Sequence, residues 1–227
     1  MSDQSSEPTT RLTIDVWADV ICPWCYLGEA RLAAAIEQAA HGGDVDLRVH
    51  TFQLYPSAPG EPRSVLDHLA RKFGVTRARA EAMEDHMAQL ARAEGLPYVA
   101  DRAVSNTLDA LRLVHLAEEY GVGWELLRAI QLAFFSDKAT AFEHDGLTQM
   151  AVAVGVPAAE ARVVLASDRY EDAVRADHER AVDLGATGVP FVVLGGNSTG
   201  IPGAITTEQY ARAIDRAWER LHGEVLG

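Results

Sequence analysis

Cys22 and Cys25 are the only cysteines in this chain, and Pro23 and Trp24 separate them. Two thiols three positions apart support a short list of chemistries. They bridge and exchange disulfides, or they supply half of a tetrahedral zinc site. On a first helical turn they share one face, close enough to bridge. Pro23 suits the first helical position, where a missing N–H is no loss. Unpaired N–H groups and the positive end of the helix dipole near Cys22 favour thiolate, the species that attacks disulfides. Cys22 is therefore the expected nucleophile, and Cys25, one turn inward, the resolving thiol. Zinc needs two further ligands. There is no third cysteine, and the eight histidines contain neither HExxH nor a His-x₃₋₅-His pair, so no metal is expected.

The flanking residues predict how this pair is held. From Arg11 the chain alternates, with Leu12, Ile14, Val16 and Ala18 on one side and Thr13, Asp15, Trp17 and Asp19 on the other. Period two is a strand pattern. After the cysteines, apolar residues recur at helical spacing until Gly42-Gly43, and residues 45–52 (VDLRVHTF) form a second β-rich run. The opening is strand, helix, strand, with parallel strands and a right-handed crossover expected. A Cys-x-x-Cys within such a unit reads as a thioredoxin-like redox motif.

From Ser64 to about Leu184 the periodicity is helical, with no convincing strand. Ser64 and Gly74 bound one helix, and Thr76 and Gly95 the next. Ser105 or Asn106 opens a third, closed by Gly121; another runs from about Gly123 to Ser136. Shorter helices fall near 145–155 and 158–166, and a longer one spans 169–184, ended by Gly185. Residues 189–194 (VPFVVL) are strand-like, and Gly195-Gly196-Asn197-Ser198 is a turn into a strand over 200–204. Thr206 and Gln209 form a capping box for a last helix striped by Tyr210, Ile214, Ala217 and Leu221. A split α/β sheet with a large helical insertion accounts for this order.

Thirty-three acidic and 20 basic residues give a net charge of −13. That argues against broad nucleic-acid binding, which needs a basic stripe, and against anionic membrane surfaces. Two cysteines exclude a disulfide scaffold. No window holds 18 consecutive apolar residues. Residues 1–10 are polar and acidic, read as a disordered tail with no secretory pattern. The expected compartment is the cytoplasm, where a Cys22–Cys25 bridge would be transient. There is no P-loop, Gly-x-Gly-x-x-Gly or Gly-x-Ser-x-Gly, so nucleotide and serine-hydrolase readings lack support.

Four separated motifs, in order, resemble the DsbA-like branch of the thioredoxin superfamily and its FrnE-like subgroup. They are DVWADVICPWCYLG at 15–28, TFQLYPSAP at 51–59, SNTLDALRLVHLA at 105–117 and the run from Gly185 to Val193. The resemblance implies an α/β, thioredoxin-like fold with a large all-helical insertion. Residues 11–62 and 185–227 would form the thioredoxin-like domain and 63–184 the helical domain. It also implies that Val189-Pro190 is the family's cis-proline pair, facing the cysteines. Substrate would then be bound by Pro23, Trp24, Val189 and Pro190. The activity implied is thiol–disulfide exchange with a protein or small molecule, with no bound cofactor. Glutathione or another low-molecular-weight thiol is a co-substrate compatible with that relationship, and an unidentified reductant or oxidant would recharge the pair. Strong oxidants of this branch often carry histidine between the cysteines; Pro23-Trp24 offers no cation, which implies a less oxidising dithiol. Gly203-Ala204-Ile205 stands where the subgroup often has Gly-Ala-Gln.

Two other readings stay open. One is a thiol-dependent isomerase or transferase, since the subgroup resembles 2-hydroxychromene-2-carboxylate isomerases and kappa-class glutathione transferases, with a link to aromatic polyketide metabolism. The other is a non-catalytic binding module on the same fold. Trp24 and Tyr26 are read either as an apolar lip for substrate or as packing between domains. Phe52, Leu54 and Tyr55 are read as core near the motif, Asn106 as a helix cap, Asp15 and Asp19 as solvated polar-face residues, and His115 as a satisfied interior histidine.

Overall fold

The computed structural model describes residues 10–137, 141–196 and 200–223, so Asn197, Ser198 and the first nine residues of the expected tail lie outside the described part. Strand β1 (Leu12–Ala18) leads through Cys22 into helix α1 (Pro23–Gln38), and a one-turn 3-10 helix at Gly42–Asp44 turns the chain into β2 (Val45–Thr51). β1 and β2 pair in parallel, from Leu12 opposite Val45 to Ala18 opposite Thr51. On its other edge β1 pairs antiparallel with β5 (Phe191–Leu194), and β5 pairs antiparallel with β6 (Gly200–Pro202). The sheet order is β2-β1-β5-β6. Helix α9 (Thr207–Gly223) follows, begun by the expected box: Thr206 N–H donates to Gln209 Oε1 at 2.9 Å, and Gln209 N–H to Thr206 Oγ1 at 3.3 Å.

Between β2 and β5 run α2 (Val65–Phe73), α3 (Arg77–Ala93), α4 (Leu108–Glu119), α5 (Gly123–Phe135), α6 (His144–Ala153), α7 (Ala158–Leu165) and α8 (Glu171–Asp183). Ser64 and Thr76 cap α2 and α3 through their hydroxyls, and Gly74 closes α2 in a left-handed conformation (φ 62°). The helical stretch also holds one ladder that periodicity could not reveal: β3 (Arg63–Ser64) pairs antiparallel with β4 (Ala103–Val104). Two residues are too few to show a period. Helix α4 begins one to two residues later than expected, with Thr107 at its N-cap position.

One sheet face buries Leu12, Ile14 and Val16 against Leu32 of α1 and Tyr210 and Ile214 of α9. The opposite face buries Trp17, Phe191 and Val193 with Phe52 and Ala181. Because both faces are covered, the alternation of β1 does not separate core from solvent. Asp15 and Asp19 are both buried, which corrects their reading as solvated residues.

Asp15 is accommodated by ionic contacts. His50 places Nε2 2.7 Å from Asp15 Oδ1 and Nδ1 3.2 Å from Asp177 Oδ1. Burial alone would lower the His50 pKa, but the two carboxylates override it and raise it to about 9. Asp177, on α8, also accepts from Thr51 N–H at 2.8 Å and lies 3.2 Å from His115 Nε2, so His115 is indeed satisfied. Burial opposes ionisation of Asp177, yet these partners hold its carboxyl well below the usual range. The network ties α8 and α4 to β2. A raised histidine pKa adds stability that is complete below about 6.5 and lost as pH rises through about 9. His50→Gln is therefore expected to lower unfolding free energy by about 2 kcal/mol at pH 6 and by much less at pH 10. Urea titrations at both pH values check this; an equal loss at both would contradict it.

Candidate active site

The largest core cluster packs Leu111, Leu116, Ile130 and Phe135 of the helices against Ile21, Cys22, Cys25 and Tyr26. The dithiol thus lies where the sheet meets the helical layer. Cys22 occupies the N-cap position of α1, with Pro23 in the first turn, and its Sγ accepts from Cys25 N–H at 3.4 Å. The sulfur fills the capping role that a serine oxygen usually takes. Across the site, the Val189–Pro190 peptide is cis, and the Cys22 thiol donates to the Val189 carbonyl at 3.4 Å. Gly28, one turn beyond Cys25, permits this approach. A Cβ there would lie 3.1 Å from Pro190 Cγ and 3.2 Å from Ala204 Cβ.

Both cysteines are free thiols. Cys22 retains 4% exposure and borders a groove of about 460 Å³; Cys25 retains none. Burial, together with the hydrogen bond and charge of Cys22, pushes the Cys25 thiol well above its ordinary pKa. The two sulfurs are therefore unequal: one opens onto a groove, and the other is held as a thiol behind it. Trp24 is 43% exposed on the groove wall, whereas Tyr26 is buried and stacks on Phe135 at 4.4 Å. So Trp24 lines the groove, and Tyr26 is packing. Leu54 and Tyr55 also line the groove, while Phe52 stacks on His178 at 4.1 Å. Asn106 accepts from Leu108 N–H, as a capping residue does, and donates to the carbonyls of Pro56 and Ala58, fixing the loop that carries Leu54 and Tyr55.

Two buried carboxylates flank the pair. Asp19 accepts from Leu54 N–H at 2.8 Å, and burial raises its pKa to about 6. Glu29 is a residue that sequence reasoning missed. It lies one helical turn after Cys25, on the same face, and burial pushes it up to about 8 against a hydrogen bond from Gln131 at 3.0 Å. Its spacing of four from a buried cysteine was the available signal. A carboxyl pKa raised on folding removes stability as pH climbs from about 4.5 through about 8. Glu29→Gln is expected to leave stability near unchanged at pH 4 and to raise it at pH 9 by more than ~1.4 kcal/mol, the value of one pKa unit. Denaturant unfolding of the reduced protein reads both values; a destabilised variant at pH 9 would refute the assignment.

Fold and site together define a class: a thioredoxin-type sheet, a Cys-x-x-Cys pair heading its first helix, and a cis-proline loop beside that pair. Residues 13–215 match the DSBA-like thioredoxin domain, and the chain belongs to that family, whose members are thiol–disulfide oxidoreductases. A probable DsbA oxidoreductase from Streptomyces coelicolor is 38% identical, superposes with a TM-score of 0.85, and is matched over 92% of this chain and 90% of its own. The YwbO protein of Bacillus subtilis is 29% identical over 202 residues, 88% of this chain and 94% of that one. Two more distant structures share the fold. One is a 2-hydroxychromene-2-carboxylate isomerase (14% identity, 93% and 98% coverage, TM-score 0.69). The other is the cytosolic disulfide reductase DsbM of Pseudomonas aeruginosa with glutathione (20%, 95% and 100%, 0.61). Among the described residues, no helix is long and apolar enough to cross a membrane.

Proposed function

We propose that this protein is a dithiol–disulfide oxidoreductase of the FrnE-like subgroup that works through Cys22 and Cys25 in the cytoplasm. The observation that carries the reading is the inequality of the sulfurs. Cys22 borders the groove within 3.4 Å of the Val189 carbonyl, and Cys25 is closed off behind it. In the reducing direction, Cys22 thiolate attacks a substrate sulfur, the substrate S–S bond breaks, and one substrate thiolate leaves. Cys25 then loses its proton and attacks Cys22 Sγ. The mixed disulfide breaks, the second substrate thiolate leaves, and the Cys22–Cys25 bridge holds the two-electron oxidation. The oxidising direction is the reverse.

Trp24 and Pro23 form the lip against which substrate lies, and Val189 and Pro190 the opposite wall. No bound cofactor enters these steps. A protein or small-molecule thiol or disulfide is the substrate, glutathione or a similar thiol is a suitable co-substrate, and a separate reductant or oxidant recharges the pair. Residues 11–62 and 185–227 act as the redox domain, and 63–184 as the inserted domain that closes the groove. The cytoplasmic placement is supported by a chain with two cysteines and no structural disulfide role for them. Turnover of insulin or scrambled ribonuclease by the parent protein, with dithiothreitol or glutathione as recharging thiol, tests the reading. No turnover with either would overturn it, and thiol-dependent isomerisation surviving in Cys22→Ser would favour the isomerase reading instead.

A further inference from the structure

The chain has 18 arginines but only two lysines, Lys72 and Lys138. Lys72 lies near the end of α2 and lines the same groove as Cys22. Its ammonium group bonds Tyr55 Oη and stands 4.1 Å from the Tyr55 ring centroid and 5.0 Å from that of Phe73. Among the described residues no carboxylate comes within 4.0 Å of it. The one carboxylate on the groove, Glu84, is committed to Arg102 at 2.6 Å. Of the nearby arginines, Arg77 is paired with Asp67 and Asp101 and Arg102 with Glu84, while Arg71 donates to the Asp67 carbonyl and does not line the groove. Lys72 is thus a cation without a counter-ion, in a molecule of net charge −13, facing the groove that contains the nucleophile. Most of the remaining wall is apolar and adaptable, with Trp24, Leu69, Phe73, Met83 and Met87, and His86 and Thr187 are its polar side chains.

We propose that Lys72 selects the substrate, binding a carboxylate on an apolar or aromatic disulfide while Cys22 attacks its sulfur. The proposal rests on Cys22 being the exchanging thiol, and it names the substrate class for that reaction: disulfides with an apolar body and an acidic group a few bonds from sulfur. Partial desolvation in the groove lowers the pKa of the otherwise exposed Lys72, and the charge of Cys22 opposes that shift, which agrees with the two groups sharing one field. Lysine suits this role better than arginine, because its compact charge on a flexible stem can leave Tyr55 for an incoming anion.

The test uses two chromogenic aromatic disulfides that differ in charge, each compared between parent and variant. One is 5,5′-dithiobis(2-nitrobenzoate), which carries two carboxylates; the other is 4,4′-dithiodipyridine, which carries none. In each reaction Cys22 thiolate displaces one aryl thiolate, Cys25 displaces the second, and the protein gives up two electrons and two protons. Lys72→Met is expected to slow the reduced protein with the dicarboxylate about tenfold and to change the neutral probe less than twofold. Lys72→Arg should recover much of the rate, and 1 M salt should erase the parent's advantage. An equal fall with both probes would make Lys72 a modulator of Cys22 alone and overturn selection, as would no change with either. If the parent reacts with neither probe, the oxidoreductase reading itself has failed. Lys72 is exposed, so these variants leave the core untouched.

Discussion

Cys22→Ser is expected to abolish disulfide exchange, lowering turnover by more than about a thousandfold, while Cys25→Ser accumulates a covalent adduct at Cys22. A serine hydroxyl has no accessible anion at neutral pH and forms no disulfide. Cys25→Ser retains the sulfur that borders the groove and loses the one that must expel the bound substrate. The asymmetry follows from geometry: Cys25 has no exposed surface, and burial above all holds it as a thiol, so an incoming disulfide meets Cys22 first. Mass spectrometry without reductant should find the parent bridged after oxidation, Cys25→Ser bound to one substrate thiol, and Cys22→Ser unmodified. Labelling at Cys25 in Cys22→Ser would reverse the assigned roles.

Glu84→Ala is expected to destabilise the protein by about 3–5 kcal/mol, because it leaves Arg102 as an uncompensated buried charge. The two side chains meet at 2.6 Å with 1% and 5% exposure. Arg102 also donates to the Val99 carbonyl at 2.8 Å, and its guanidinium lies between 4.5 and 4.7 Å from the rings of Tyr98, Phe134 and Phe135. Those partners orient the charge but do not neutralise it. The double variant Glu84→Leu, Arg102→Met removes both charges together and should recover most of the loss, since an apolar pair of similar volume is often no worse than a buried ion pair. Urea unfolding midpoints decide between outcomes. A double variant as unstable as the single one would show that packing of the guanidinium, not charge balance, holds this corner.

The parts written in local chemistry were legible from the sequence. Cys22, Pro23 and Cys25 announce a capped helix start, and Thr206 with Gln209 announces another; both form as read. Helices of the insertion were legible from period and caps, within two residues. What failed was inference about a second face. Period two in β1 distinguishes its two sides, but a single strand carries no record of the helix α8 that covers the side holding Asp15. His50 and Asp177 are 127 positions apart, and their contact leaves no mark on either neighbourhood. Lys72 escaped for the same reason: a lone lysine near a helix end reads as an ordinary favourable terminus, and only the fold carries it to Cys22. The spacing and helix position of the two cysteines were readable, but the groove around them is assembled from distant parts of the chain.

The near-closure of Cys22 implies a filter based on shape. With 4% of the residue open, Cys22 is reached only by a disulfide that can enter the groove and present itself in line. A small molecule can do this, and so can a flexible or unfolded segment. A bridge recessed in a folded domain cannot, however reducible it is. Steric access alone would thus separate disulfides that are mobile from those fixed in their native place.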